Sequence, residues 1–128
     1  MSLMLLDSGS LWYRAYYGMP DTLLAPDGTP VNAIRGYLDM SARLISMYRP
    51  QRLVACLDGD WRPSWRVELF PEYKANRAKT PDEFRSQIPI ISNILSALKI
   101  KEYSLEGFEA DDLIATVAQK AANEGFEV

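Results

Sequence analysis

The chain has 128 residues, 48% of them hydrophobic, enough for one globular domain with its own core. Its formal net charge is -3, which argues against a uniformly basic coat for nucleic acid but leaves room for a local basic strip. With no histidine and one cysteine, Cys56, the chain cannot run Ser-His-Asp or Cys-His catalysis, bind zinc through histidine or build a disulfide framework.

Leu3 to Leu6 is an unbroken apolar run ending at Asp7, the pattern of a strand buried on both faces of a parallel sheet. Ser8-Gly9-Ser10 breaks the run and offers a helix cap, and Leu11 to Tyr17 is expected to form a short aromatic helix. Pro20 to Pro30 is a loop. Asn32 is placed to cap a helix through Ile34, Tyr37, Leu38, Leu44, Ile45 and Tyr48, which stops at Arg49-Pro50. Leu53 to Leu57 is the second apolar run, and it ends at Asp58. Thr80-Pro81-Asp82-Glu83 has the form of a capping box with proline at the first helical position. The helix it opens continues to Leu98, with a kink expected at Pro89. Ile100 to Leu105 alternates as an edge strand does. Ala110, Leu113, Ile114, Val117, Ala118 and Ala121 follow the spacing of one buried helix face, with Gly125 as its stop. Phe126 to Val128 reads as the opening of a further strand. Strands and helices in this order imply an α/β fold, three layers (α/β/α) around a mainly parallel sheet, in a single domain.

Glu109, Asp111 and Asp112 fall in the first turn of the last helix, off its buried face. A helix N-terminus welcomes acids, so one or two would need no further explanation. Three repel one another more than the helix dipole offsets, and a cation with oxygen ligands, such as Mg²⁺, would relieve this. Asp7 and Asp58 each follow a buried strand, and ligands of parallel sheets bind at the carboxyl ends of the strands. All five acids are therefore expected at one edge of the sheet, as a metal site suited to phosphate chemistry.

Residues 60 to 79 leave Asp58 over that same edge. The segment carries Arg62, Arg66, Lys74, Arg77 and Lys79 among Trp61, Trp65, Phe70 and Tyr73. Cations can neutralise phosphates and aromatics can stack on unpaired bases. The plainer reading is a surface loop whose Arg and Trp pack on each other. Lys74 and Arg77 are spaced to share a face if this stretch is helical.

These stretches, taken together, resemble the bacterial 5′–3′ exonucleases, the group that includes the N-terminal nuclease domain of DNA polymerase I and is related to flap endonucleases. The matching pieces are Leu-Leu-Asp (5–7) with Tyr-Arg-Ala (13–15), Leu-Asp (57–58), Glu-Leu-Phe-Pro-Glu-Tyr-Lys-Ala-Asn-Arg (68–77) and Gly-Phe-Glu-Ala-Asp-Asp (107–112). Residues 60–66, Asp-Trp-Arg-Pro-Ser-Trp-Arg, are more similar to stand-alone actinobacterial-type members than to polymerase-fused ones. The resemblance implies a PIN-like 5′-nuclease fold that hydrolyses DNA phosphodiesters with two Mg²⁺ ions, for which Mn²⁺ could substitute. It implies that Asp7, Asp58, Glu109, Asp111 and Asp112 are metal ligands, with Asp58, Asp111 and Asp112 taking part in catalysis. Lys74 and Arg77 are implied to steer the scissile phosphate beneath a basic arch at about 60–79. Tyr73 is implied to stack on a base. Arg14, Arg66 and Lys79 complete the expected DNA contacts. The expected partner is DNA with a 5′ single-stranded end or flap, and the expected location is the bacterial cytoplasm, at the nucleoid, with no membrane partner.

Two departures stand out. Ser8-Gly9 replaces the glycine that directly follows the first aspartate in many members, with little expected effect. The chain also ends before the Gly-Asp-x-Asp motif that supplies the family's second metal cluster. It is thus expected to be an N-terminal fragment, inactive alone, with a mobile basic segment and an apolar sheet edge that favours self-association. A response-regulator receiver would need an acidic pair after the first strand, and a haloacid-dehalogenase phosphatase would need a second aspartate where Gly9 stands. A PIN-type ribonuclease and a non-catalytic nucleic-acid-binding module remain as alternatives.

Overall fold

The computed structural model describes residues 1–128. Three parallel strands form the sheet in the order β1-β2-β3: β1 (Leu3–Asp7), β2 (Arg52–Cys56) and β3 (Lys101–Tyr103). Leu6 lies opposite Ala55 and Asp7 opposite Cys56, so both apolar runs end level with each other. Beyond β1, Glu127 pairs in parallel with Ser2, which makes the strand expected at the C-terminal end a one-residue bridge here.

The connections are α1 (Ser8–Gly18), α2 (Asn32–Tyr48), α3 (Ser64–Leu69), α4 (Asp82–Arg85), α5 (Ile88–Ala97) and α6 (Ala110–Asn123). Alternation along the strands assigns the two faces. Ala55, with Ala15, Tyr37, Ile91 and Leu95, forms the buried core under α1, α2 and α5. Leu5 points the other way and shares an apolar groove with Ile114 and Ala118 of α6. The result is three layers with α6 alone on the second face, an α/β fold with a parallel sheet as the sequence implies. No helix is long and apolar enough to cross a membrane.

Several local expectations are revised. Asp7 itself caps α1: its Oδ1 accepts from the Ser10 amide at 3.2 Å and its Oδ2 from the Ser10 hydroxyl at 2.7 Å. The helix therefore starts at Ser8, with no break after the strand. Asn32 does not cap α2. Its Nδ2 donates to the Tyr16 carbonyl at 2.9 Å, and the fully buried Gln87 caps instead, its Oε1 accepting from the amides of Ala33 and Ile34 at 2.8 and 3.1 Å. Thr80 makes no capping box, since Pro81 is the N-cap of α4 and no side chain bonds there. Pro89 does not kink one long helix. It sits in the first turn of α5, where a missing N–H costs nothing, and α4 ends before it.

Close backbone approaches fix the site edge. A Cβ on Gly36 would lie 2.8 Å from the Ala15 Cβ, so α1 and α2 pack at glycine distance. The amides of Gly59 and Asp60 both donate to the Phe108 carbonyl, at 3.0 and 3.1 Å, tying the end of β2 to the loop that precedes α6.

Candidate metal centre and nucleic-acid interface

A cleft of about 440 Å³ opens at the carboxyl ends of β1 and β2. Asp7, Asp58, Glu109 and Asp111 line its acidic side, and Arg14, Tyr73, Lys74 and Arg77 line the rest. Gly9 lies between the first two acids: a Cβ there would stand 3.8 Å from Asp7 Oδ1 and 3.9 Å from Asp58 Oδ2. Asp58 Oδ1 accepts from the Ala110 amide at 2.7 Å, so the end of β2 caps the start of α6. Asp112, Arg66 and Lys79 are outside the cleft lining.

Glu109 is the N-cap residue of α6 and belongs to the turn before it, not to its first turn. Its backbone amide donates to Asp112 Oδ2 at 3.0 Å. The side chain, 5% exposed, draws four donor contacts. The Tyr73 hydroxyl reaches Oε1 at 2.9 Å and Oε2 at 2.7 Å, Lys74 Nζ bonds Oε1, and an Arg66 guanidinium nitrogen bonds Oε2. Arg66 also forks onto Asp112, with contacts of 2.9 and 2.6 Å. Much of the crowding that seemed to require a bound cation is thus answered by two cations of the protein itself.

The five acids divide into two groups. Burial raises the Glu109 carboxyl, but the hydrogen bonds and charges of Lys74, Tyr73 and Arg66 outweigh it and leave the group below its ordinary value. Asp112 is lowered chiefly by the hydrogen bond from Arg66. Asp111 goes the other way: burial and the charges of Asp7, Glu109, Asp58 and Asp112 raise it. Its carboxylate has no basic partner within ion-pair distance, and neither do those of Asp7 and Asp58. As placed, no three acids stand close enough to hold an ion. The donor chemistry still suits a hard divalent cation, because three carboxylates without a basic partner border one cleft and their charges already bear on Asp111.

The basic segment differs most from expectation. Residues 71–76 form turns rather than a helix, and Lys74 sits at φ 53°, so it shares no helical face with Arg77. Nor does the segment hang loose. Trp65 Nε1 donates to the Gly107 carbonyl at 2.9 Å, Lys74 Nζ to the Trp61 carbonyl at 2.6 Å, and Arg62 Nε to the Tyr73 carbonyl at 2.8 Å. The Arg66 guanidinium lies 4.5 Å from the Trp65 ring centroid. Arg66, expected to meet DNA, is occupied by Asp112 and Glu109.

Some residues of the site escaped the reading of the sequence. Ser10 and Tyr13 line the cleft, and Ser10 orients Asp7. An aspartate three residues before a serine at a strand-to-helix junction is a capping signal that could have identified the first of them. No local signal identifies Gly59 or Trp65, whose partners are distant in sequence.

Comparison with known proteins gives a consistent family. The model of the 5′-3′ exonuclease N-terminal resolvase-like domain matches residues 2–128. The chain is 50% identical to a 5′-3′ exonuclease of Streptomyces coelicolor, with 92% of this chain and 43% of that protein covered. It is 44% identical to a 5′-3′ exonuclease of Mycobacterium tuberculosis, with 92% and 41% covered. It is 45% identical to a DNA polymerase I of Mycobacterium bovis, with 99% and 14% covered. The chain therefore spans less than half the length of these curated relatives. Among solved structures, a bacteriophage T5 flap endonuclease in a pseudo-enzyme-product complex with DNA and metal ions superposes with a TM-score of 0.60, at 19% identity, over 96% of this chain and 45% of that one. At that identity the likeness speaks for the fold.

Proposed function

Because the chain belongs to the 5′-3′ exonuclease N-terminal resolvase-like domain family, we propose that it supplies the first carboxylate group and the phosphate-steering cations of a divalent-metal-dependent 5′-3′ exonuclease or flap endonuclease acting on DNA. The observation that carries this reading is the cleft itself, where Asp7, Asp58 and Asp111, none of them ion-paired, face Lys74 and Arg77 across one opening. Relatives named 5′-3′ exonuclease and DNA polymerase I, and a flap endonuclease crystallised with DNA, support it.

In this reading Asp7, Asp58 and Asp111 hold Mg²⁺, or Mn²⁺ in its place, and Glu109 and Asp112 join them when their own cations let go. The metal, when bound, polarises the phosphodiester and supplies an activated water at neutral pH. Hydrolysis adds the water oxygen to phosphorus and breaks one P–O bond. Lys74 and Arg77 place the scissile phosphate and meet the charge that builds on its oxygens. Tyr73 offers a ring to a base beside the break, and Arg14 meets backbone phosphate. Lys79, exposed and without an ion pair, adds a sequence-independent phosphate contact. A partner with a free 5′ end fits a bacterial cytoplasmic enzyme of replication and repair.

The test is cleavage of labelled 5′-flap DNA by a polypeptide of the relatives' length, with Mg²⁺, against an RNA strand of the same shape and an EDTA control. Flap cutting that needs Mg²⁺ is expected. Cutting confined to RNA would favour a PIN-type ribonuclease, and binding without cutting a non-catalytic module. Residues 1–128 alone are expected to bind metal but not to cut, because in-line hydrolysis by two metals needs ligands on both the attacking and leaving sides.

Asp111→Asn separates metal binding from stability. Raised in the fold, the Asp111 carboxyl opposes folding at neutral pH, and this is relieved as the pH falls through its raised value toward that of the unfolded chain. The amide should therefore raise the urea midpoint near pH 7, with the gain shrinking as the pH falls toward about 4 and absent below it. It should also lower Mn²⁺ affinity about tenfold or more. A midpoint gain that persists unchanged at pH 3 would contradict the electrostatic cause.

A further inference from the structure

Segment 61–74 rests on the start of α6 and the loop before it through ion pairs and hydrogen bonds, with Pro63 buried and Trp65 beside Phe108. Leu69, the last residue of α3, and Phe70 just after it are 80% and 56% exposed. The charged part of this docking is the fork of Arg66 on Asp112 and the contacts of Arg66 and Lys74 on Glu109, joined by the hydrogen bonds of Tyr73 to Glu109 and of Trp65 to the Gly107 carbonyl. Lys74 makes its contact from a left-handed backbone conformation, which a non-glycine residue adopts only when its surroundings hold it there. Glu109 and Asp112 stand beside Asp111, which has no basic partner of its own. Protein cations and a bound ion would thus compete for neighbouring carboxylate oxygens.

We propose that Arg66 and Lys74 form a latch that a divalent cation opens. Metal entering at Asp7, Asp58 and Asp111 draws Glu109 and Asp112 toward itself. Arg66 and Lys74 lose their partners, segment 61–74 loosens from the start of α6, and the ammonium of Lys74, already at the cleft wall, is freed to meet a phosphate there. Without metal the same contacts keep the segment down and Lys74 neutralised by Glu109, so one of the two phosphate-steering cations is withheld until the site is loaded. The coupling is reciprocal: whatever weakens the latch must strengthen metal binding by the same factor. This inference rests on the reading that the cleft takes a divalent metal.

The sign of one effect distinguishes a latch from simple support. If Arg66 and Lys74 served only to hold Glu109 and Asp112 in position for metal, removing either would weaken metal binding. Released as latch members, they should strengthen it. Loss of any nearby positive charge adds a small gain through space, screened over about 10 Å in 0.1 M salt. Arg77 lines the same cleft without an ion pair and serves as the control for that gain.

Mn²⁺ is titrated calorimetrically into residues 1–128 and into Lys74→Gln, Arg66→Gln and Arg77→Gln, with tryptophan emission recorded throughout. Lys74→Gln and Arg66→Gln should bind Mn²⁺ about five- to tenfold more tightly, and Arg77→Gln less than about twofold more tightly. In the unsubstituted chain Mn²⁺ should shift the emission of Trp61 and Trp65 to the red and expose the segment to trypsin. Lys74→Gln should show part of that shift before any metal is added. Equal or weaker Mn²⁺ binding in both latch variants overturns the proposal. So does Mn²⁺ binding to the unsubstituted chain with no change in emission or proteolysis, a result that needs no variant and stands even if Arg66→Gln fails to fold. No Mn²⁺ binding to the unsubstituted chain overturns the metal reading itself, and is told apart from failure of the latch alone by the missing calorimetric signal.

Discussion

Lys74→Ala, in a polypeptide of the relatives' length, is expected to slow single-turnover cleavage of a 5′ flap by about 10²- to 10³-fold. DNA affinity should fall by no more than about threefold, since one phosphate contact among several is lost. The unequal split follows from position. Lys74 borders the cleft with Asp7, Asp58 and Asp111, whereas Lys79 is exposed and outside it. A cation at the cleft meets phosphate charge that grows toward the transition state, so its removal registers in the rate. Lys74 also touches Glu109, so a rate loss could come from a collapsed carboxylate. Two measurements exclude that. The urea midpoint of Lys74→Ala should stay near that of the parent, because Arg66 and Tyr73 remain on Glu109. Lys79→Ala should weaken binding and reduce its salt dependence with little change in the single-turnover rate. A Lys74→Ala enzyme that cuts at the parental rate once DNA is saturating would remove Lys74 from the chemistry.

Gly59→Ala should cost about 3 kcal/mol of folding stability, the upper part of the usual range for overpacking. A Cβ at Gly59 would lie 2.0 Å from the Leu105 carbonyl oxygen, 2.4 Å from its carbon and 2.9 Å from the Glu106 nitrogen. All three are backbone atoms, so no side chain can swing aside to make room. The loop before α6 would have to move off the end of β2, stretching the bonds from Gly59 and Asp60 to the Phe108 carbonyl. The bond from the Ala110 amide to Asp58 spans the same gap, so the variant should bind Mn²⁺ more weakly as well. Urea unfolding would show the loss as a lower midpoint at an unchanged slope. Gly18→Ala is the matched comparison. Nothing lies within 4 Å of that position, and the substitution should be neutral or slightly stabilising. Equal midpoints for the two variants would mean that the approach at Gly59 is not close in solution.

Much of this molecule was legible residue by residue. The apolar runs before Asp7 and Asp58 announced two buried parallel strands, because a strand covered on both faces needs no polar alternation. Their last residues had to lie at one edge of the sheet, since parallel strands all point the same way. The apolar spacing from Ala110 to Ala121 placed α6, and Arg49-Pro50 and Gly125 ended their helices where the left-handed residues Arg49 and Gly125 now lie. The motifs at 68–77 and 107–112 were specific enough to indicate the family. All of these signals lie within a turn or two of the residues they describe.

The pairing inside the site was decided elsewhere. Arg66 meets Asp112 across 46 residues, Lys74 meets Glu109 across 35, and Gln87 caps α2 from 54 residues away. No periodicity encodes such partners. They follow from how the helix layers settle on the sheet and from the close approach at Gly59, which sets the distance between the end of β2 and the start of α6. The sequence by itself determined that five acids and a basic segment would share one edge. Only the tertiary structure divided them, leaving Asp7, Asp58 and Asp111 without a basic partner and committing Glu109 and Asp112 to Arg66 and Lys74. The reason is physical. Charges attract over any sequence separation, and which of them come within reach depends on the packing that brings their elements together.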